Sequence, residues 1–503
     1  MSDNKKYIAL TLGPIYRTLM LAKSSKELWA ASYLFSYLGK ELIKGFKERN
    51  FVLPYIDEKL YKPAYGAGLF PDRYIFEAQE GDFDNLIKKV DEVIVNLAKD
   101  ITGNSQIDEC TIFLKNYLKI YFLEFGHEDS STLVETCNRQ LSMLELQDNF
   151  NSEEKNNFLT NFFEKINGIS FLANDAFGND NTGDNRLFES LIELAIPEHR
   201  QWVSKQVALD VDNHEENILK QLKGENKYRS YYRYVAIIKA DGDNVGKTIS
   251  NLQQSGAPVI KLAKQLFEFN LEVVQIVNNY KGKAIYLGGD DLLIFAPLKS
   301  GTEQLFSLVE KINKAFEELM TPFDVKPTLS FGISMIHFKS PMFEALEKVD
   351  YLLNEKAKKQ PGKNAIAFSL QKRSGHHIEA IIPKEQSYIY DTFKEMIDSL
   401  LDTPEQTDNK DKVLASVIHW LGRNKEILSV ILNQQEHERI KRLSNYFSNS
   451  FNEKIHEQYQ SFFHRLQTFI LNAYKHSNDI DTTIQATYTT LRYVHFLNSD
   501  KDE

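Results

Sequence analysis

The chain has 503 residues, 42% of them hydrophobic and 26% charged, with a formal net charge of −10. A chain this long exceeds what one core organises, so three or four domains are expected, and the acidic balance argues against a globally basic nucleic-acid binder. Two cysteines, Cys110 and Cys137, cannot build a four-cysteine zinc site, and no run approaches the roughly 18 apolar residues of a membrane span. The N-terminus shows no secretory h-region, which makes the cytoplasm the expected compartment and a membrane partner unexpected.

Residues 7–13 read as a short buried strand, followed by a long helical stretch over about 15–46 with Leu19, Leu28, Leu34, Leu38 and Leu42 at helical spacing. Strands are expected at 51–56 and 74–76. A helix follows at 84–101, and an aromatic-rich segment at 112–125 could close with a strand. These elements describe a first βααβ-like domain, 1–127. Residues 128–225 are mostly polar and helix-forming, with a loop-like stretch at 174–185 rich in Asn, Asp and Gly. They read as a helical inserted or bridging domain.

Residues 226–375 form a second α/β unit: a strand at 234–238, a helix at 259–279, a hairpin at 283–297, a helix at 302–320 and a strand at 328–335. A helix at 341–359 then stops at Gln360-Pro361-Gly362, before a closing strand at 364–368. The order β-α-β-β-α-β is the split ferredoxin-like pattern, the fold of polymerase palms and nucleotide cyclases. From Glu379 onward the pattern is helical and unbroken by strand signals, and Trp420, Leu421, Phe462, Phe463 and Leu466 can fill a bundle core over 376–503. The expected fold class is α+β: two ferredoxin-like palm domains, a helical inserted domain and a C-terminal helical bundle. Two α/β units of similar size suggest an internal duplication.

Two acidic tips carry the chemistry. The hairpin turns through Gly288-Gly289-Asp290-Asp291, and the strand from Tyr234 ends in Asp241-Gly242-Asp243-Asn244 followed by Lys247. Glycine at such a turn allows positive φ and lets a phosphate approach the backbone. Nucleotidyl transfer needs a hydroxyl activated and a pyrophosphate neutralised; two divalent cations roughly 3.5–4 Å apart do both and require carboxylates presented together. Asp241 and Asp243, two apart on a strand, can share a face, whereas Asp290 and Asp291 can do so only because they sit at a turn. Acidic turns are common by themselves; two at strand ends of one unit point to a shared site. Lys247 enters the following helix, where N-terminal amides and a cation suit a triphosphate. Lys356, Lys358 and Lys363 crowd a helix end, with Lys358 nominated for phosphates. The histidines form no metal constellation.

Three stretches carry a resemblance to the large subunit of type III CRISPR effector complexes of the Cmr kind, the Cas ten family. Leu12-Gly-Pro-Ile15 through Ser25-Lys-Glu-Leu-Trp29-Ala-Ala-Ser32 is similar to its first-palm signature. Ala240 to Lys247 with Gly288 to Asp291 resembles its catalytic palm, and Phe331 to Met335 through Gly362-Lys-Asn364 resembles that palm's end. The resemblance implies that ATP binds between two palms and that Asp241, Asp290 and Asp291 hold Mg²⁺ or Mn²⁺. Nucleotide contacts are expected from Gly288, Gly289, Asp243, Asn244, Lys247 and Lys358. The first palm would accept a nucleotide without holding metals, since Leu12-Gly13-Pro14 replaces its acid tip, with Ser32 facing the same region. The implied product is a cyclic oligoadenylate made when guide RNA and its partner subunits recognise target RNA. Some relatives instead join AMP to S-adenosylmethionine. Many carry an N-terminal histidine-aspartate nuclease domain that has no counterpart here, so nuclease activity is not expected. A stand-alone diguanylate cyclase is disfavoured by Leu292 after the acids, and a pure scaffold by clustered, mutually repelling carboxylates.

Overall fold

The computed structural model describes the chain apart from residues 1–4, 62–65, 104, 128–130, 147–156, 173–187, 209–213, 374, 376, 386, 402–409, 452–458 and 499–503. The loop-like stretch at 174–185 therefore lies outside the described residues.

The first sheet is built from β1 (Lys5–Gly13), β2 (Phe51–Leu53), β3 (Arg73–Glu77) and β4 (Lys119–His127), in the spatial order β2-β3-β1-β4. Between β1 and β2 the single helix expected over 15–46 is two, α1 (Ile15–Leu19) and α2 (Ser25–Ile43). The break falls at Ser24, whose side chain caps α2 by accepting the Glu27 amide at 3.2 Å. Between β3 and β4 run α3 (Asp82–Thr102) and α4 (Ile107–Tyr117). The segment after Ile112 is therefore helix before strand. Helix α5 (Leu133–Glu145) follows and packs on β1 and β4.

The second sheet holds β5 (Tyr234–Asp243), β6 (Lys283–Gly288), β7 (Asp291–Pro297), β8 (Thr328–His337), β9 (Ala365–Gln371) and β10 (His377–Pro383), in the order β10-β9-β8-β5-β7-β6. Its first four strands repeat the arrangement of the first sheet, and each set is antiparallel throughout. Helices α6 (Val245–Gln254) and α7 (Ile260–Asn279) follow β5, α8 (Leu305–Met320) follows β7, and α9 (Met342–Tyr351) follows β8. Helix α9 continues into a π-helical turn, Leu352–Ala357, that packs on β8. Gly332 makes room for it, since a Cβ there would lie 2.5 Å from the Val349 carbonyl oxygen and 2.7 Å from the Leu353 nitrogen.

Two sequence expectations change here. Strand β5 runs past Ile238 to Asp243 because β8 pairs with it along the whole length, Thr328 opposite Asp243. Strand β10 interrupts the stretch expected to be wholly helical from Glu379: it pairs antiparallel with β9, burying Ile378, Ala380 and Ile382 in alternation. The helical remainder docks on it, with the Gln485 amide and the Thr489 hydroxyl donating to the Glu379 carbonyl at 3.1 and 3.0 Å.

The two units meet directly. The Leu287 amide of β6 donates to the Gly68 carbonyl at 3.0 Å, and the Ser32 hydroxyl of α2 donates to the Ile285 carbonyl at 3.0 Å. Ile249 of α6 and Val259 pack against Tyr7, Ala9 and Ile75 of the first sheet and against Leu133, Val134, Cys137 and Leu141 of α5. In the reciprocal position, Tyr16 of α1 lies beside Glu347 and Asp350 of α9. The helix after each unit's first strand, α1 or α6, thus comes to the helix after the other's fourth strand, α9 or α5, as a duplicated ancestor would arrange them.

Candidate functional site

The acidic tips meet at Gly242. A Cβ built on it would fall 2.4 Å from Asp290 Oδ2 and 2.8 Å from Asp290 Cβ, and the Gly242 N–H bonds the Asp290 carboxylate. Glycine is needed here for space. Burial and the adjoining Asp291 charge push the Asp290 carboxyl well above its ordinary range, with Asp72 adding to the effect. The surrounding protein raises Asp291 as well, opposed by Lys239 and reinforced by Asp72, although its side chain stays open to solvent.

The two glycines of the turn do different things. Gly289 has φ +72° with no atom within 4 Å of a built Cβ, so it makes the turn. Gly288 lacks positive φ; a Cβ there would collide with the Tyr286 ring and hydroxyl, so its smallness seats Tyr286 rather than a phosphate.

Asp241 and Asp243 separate in role. Asp241 pairs with Lys358, whose Nζ also lies 3.4 Å from the Gly242 carbonyl oxygen. Burial, together with Lys363 and Lys239, pulls the Lys358 ammonium down to about 8. Asp243 is fully buried, and its Oδ2 accepts from the Thr328 hydroxyl (3.0 Å), the Ser330 hydroxyl (2.8 Å) and the Asn364 amide (3.0 Å). It ties β5 to β8 and to the turn before β9, which corrects its assignment as a nucleotide contact. Ser32 is likewise buried and spent on the Ile285 carbonyl, so it joins the palms rather than facing a nucleotide. Asn244, at φ +65°, precedes α6 and makes no side-chain capping bond, which leaves the first-turn amides uncapped by it; Lys247 projects from that turn, exposed.

Among the described residues no three of His, Cys, Asp and Glu stand together as a metal-binding group. The expected trio is divided, Asp290 and Asp291 adjoining while Asp241 is held by Lys358. Two other groups bear on the acids and escaped sequence reading. Asp72 stands immediately before β3, the place Asp290 holds before β7, so the matched strand order was a signal for it. The Tyr286 hydroxyl is buried and surrounded by Asp72, Asp291, Tyr74 and Asp290, all of which disfavour its ionisation.

A Cas10/Cmr2 second palm domain model matches residues 234–367, and a CRISPR-associated protein Cmr2 N-terminal model matches residues 7–103. Both matched regions are thus similar to Cas10/Cmr2-family domains. The CRISPR system Cmr subunit Cmr2 of Pyrococcus furiosus is 32% identical over 174 residues, spanning 30% of this chain and 20% of that relative. Among solved structures, this chain resembles the Csm1-Csm4 cassette in complex with pppApApA (TM-score 0.57, 13% identity, 99% of this chain and 70% of that one). The cassette in complex with cA4 gives 0.54 at 12% identity, covering 96% and 70%. Apo type III-B Cmr-beta gives 0.53 at 10%, covering 80% and 75%. These identities speak to the fold. No described helix is long and apolar enough to cross a membrane.

Proposed function

We propose that the chain is the nucleotidyltransferase subunit of a Cmr-type CRISPR effector, joining ATP-derived adenylates into a cyclic oligoadenylate when guide and target RNA engage the complex. The observation that carries this is the seating of Asp290 on Gly242, which brings the two acidic tips to one point beside Lys358 and Lys239. The relatives solved with cA4 and pppApApA supply the class of product.

The donor set suits hard divalent cations. Adjacent carboxylates, with Asp72 bearing on both and Asp291 on Asp290, would be relieved by positive charge, and oxygen donors are what Mg²⁺ or Mn²⁺ takes. Asp290 and Asp291 would hold such ions, with Asp241 joining once Lys358 turns to phosphate. When bound, they would neutralise charge on the phosphates. The chain's own groups do the rest. The uncapped amides at the start of α6, with Lys247, receive the triphosphate. Lys358 moves its charge from Asp241 to the phosphates. The 3′-oxygen of one nucleotide then bonds to the α-phosphorus of the next, the bond to pyrophosphate breaks, and the hydroxyl proton leaves to solvent.

The test is the assembled complex with guide RNA, target RNA, ATP and Mg²⁺. Wild type should release pyrophosphate with an adenylate product, and Asp290→Ala/Asp291→Ala should assemble normally and make none. Equal product from both would reject the site. Mass spectrometry with and without S-adenosylmethionine identifies the acceptor.

A further inference from the structure

Strand β10 is tied to the acidic site through the π-helical turn that ends α9. Glu379 on that strand presents its carboxylate to Lys348 of α9 at 2.7 Å, to Lys356 of the turn at 3.5 Å and to His377 Nε2 at 3.3 Å. Burial alone would raise this carboxyl, but Lys348, His377 and Lys356 outweigh it and hold it below its ordinary range, so it keeps its charge. Both ammonium groups also lie over the Tyr351 ring, 4.8 and 5.4 Å from its centre, so one acid grips the helix on either side of where the turn begins. The Glu379 carbonyl, bound by Gln485 and Thr489, fastens the same residue to the last helix, Ile480–Asn498.

The same turn carries or holds the cations that face the acids. Its π hydrogen bond runs from the Lys358 amide to the Leu353 carbonyl at 2.9 Å. The extra residue of such a turn sets whatever follows back by one position, roughly 100° of helix rotation. Lys358 emerges there and pairs with Asp241. Asn354 donates to Asp350 Oδ1 at 3.1 Å, and Asp350 holds Lys239, whose charge opposes the rise of Asp291. Leu352 and Ala357 pack on Ala365 and Ala367 of β9 and on Ile381 of β10. Both cations beside the acidic tips thus depend on how the turn is wound, and Glu379 is the acid that ties the turn to β10.

We propose that Glu379 is a positioning residue for the nucleotide phosphates: by anchoring Lys348 and Lys356 to the strand that the C-terminal bundle holds, it fixes the winding of the π turn and keeps Lys358 in reach of them. The inference rests on the nucleotidyltransferase reading, which gives Lys358 its phosphate. It adds a residue that touches neither metal nor substrate and acts through one that does.

The experiment measures AMPPNP binding to the assembled complex with Mg²⁺ by titration calorimetry, with thermal melting as the check on folding. Glu379→Gln keeps the length and loses the charge, whereas Glu379→Asp keeps the charge and loses the reach. Each should weaken AMPPNP about fivefold, within the range that supporting contacts contribute. The KM for ATP should rise in step while kcat holds. In a Lys358→Met background neither should weaken binding further, because the effect passes through that ammonium. Glu355→Gln removes an exposed charge from the same turn, one that pairs with Lys359 instead, and should bind as wild type does. Wild-type affinity in either folded Glu379 variant, the same loss repeated without Lys358, or an equal loss in Glu355→Gln overturns the proposal. Wild type that binds AMPPNP but releases no pyrophosphate would sink the nucleotidyltransferase reading and leave the binding cycle to decide Glu379.

Discussion

Gly242→Ala is the sharpest probe of how the two acidic tips are held. Its new methyl would sit 2.4 Å from Asp290 Oδ2, 2.5 Å from Val245 Cγ2 and 2.8 Å from Asp290 Cβ. Comfortable contact needs about 3.5 Å, so the hairpin tip must retreat by ~1 Å. Rotating the Asp290 carboxylate relieves only the first clash, because the approach to Cβ moves with the strand. Gly242 has no positive φ, so the backbone itself accepts alanine. Overpacking should cost about 1–3 kcal/mol, partly offset by about 0.4–1 kcal/mol from the stiffer unfolded chain. A ~1 Å misplacement of reacting groups costs about 100-fold in rate. The assay is pyrophosphate release by the assembled complex with guide RNA, target RNA and saturating ATP, with Gly224→Ala, where a Cβ meets nothing within 4 Å, as the control. A folded Gly242→Ala complex turning over at the wild-type rate would refute the claim that this contact sets the geometry.

Asp243→Ala strands the buried Ser330 hydroxyl, the half-buried Thr328 hydroxyl and the Asn364 amide, and should cost about 3 kcal/mol, read as a lower melting temperature; Asp290→Ala/Asp291→Ala should not lower it. If Asp243→Ala melts with wild type, its structural role is wrong. Lys358→Met should raise the KM for ATP at least tenfold, and an unchanged KM removes Lys358 from phosphate binding. His337 is buried, its Nδ1 accepts the Lys339 amide at 3.1 Å, and burial holds the ring down to about 4. The unfolded chain, titrating near 6.5, takes the proton first. Stability should therefore be intact above about 6.5 and fall by up to about 3 kcal/mol as pH drops to about 4. His337→Asn should flatten that slope in denaturant melts; an unaltered slope excludes this histidine as the cause.

The sequence alone determined what depends on neighbours in the chain. Alternation and turn residues placed the hairpin around Gly288–Asp291, and the β-α-β-β-α-β order of the second unit is the sheet order observed, because strand sequence and crossover rules leave few topologies. Even β10 was written locally, in the alternation of Ile378, Ala380 and Ile382, though the long helical pattern C-terminal to it concealed the strand. Only tertiary structure decided how the acids are placed. Asp241 and Asp243 look equivalent two positions apart, yet the donors that bury Asp243 come from 85 to 121 residues away. Asp72 and Tyr286 matter through contact between two units, and Ser32 is consumed by that contact. Electrostatics and packing act through space, so the charge a carboxylate feels is set by whatever the fold brings beside it, and chain order does not record that.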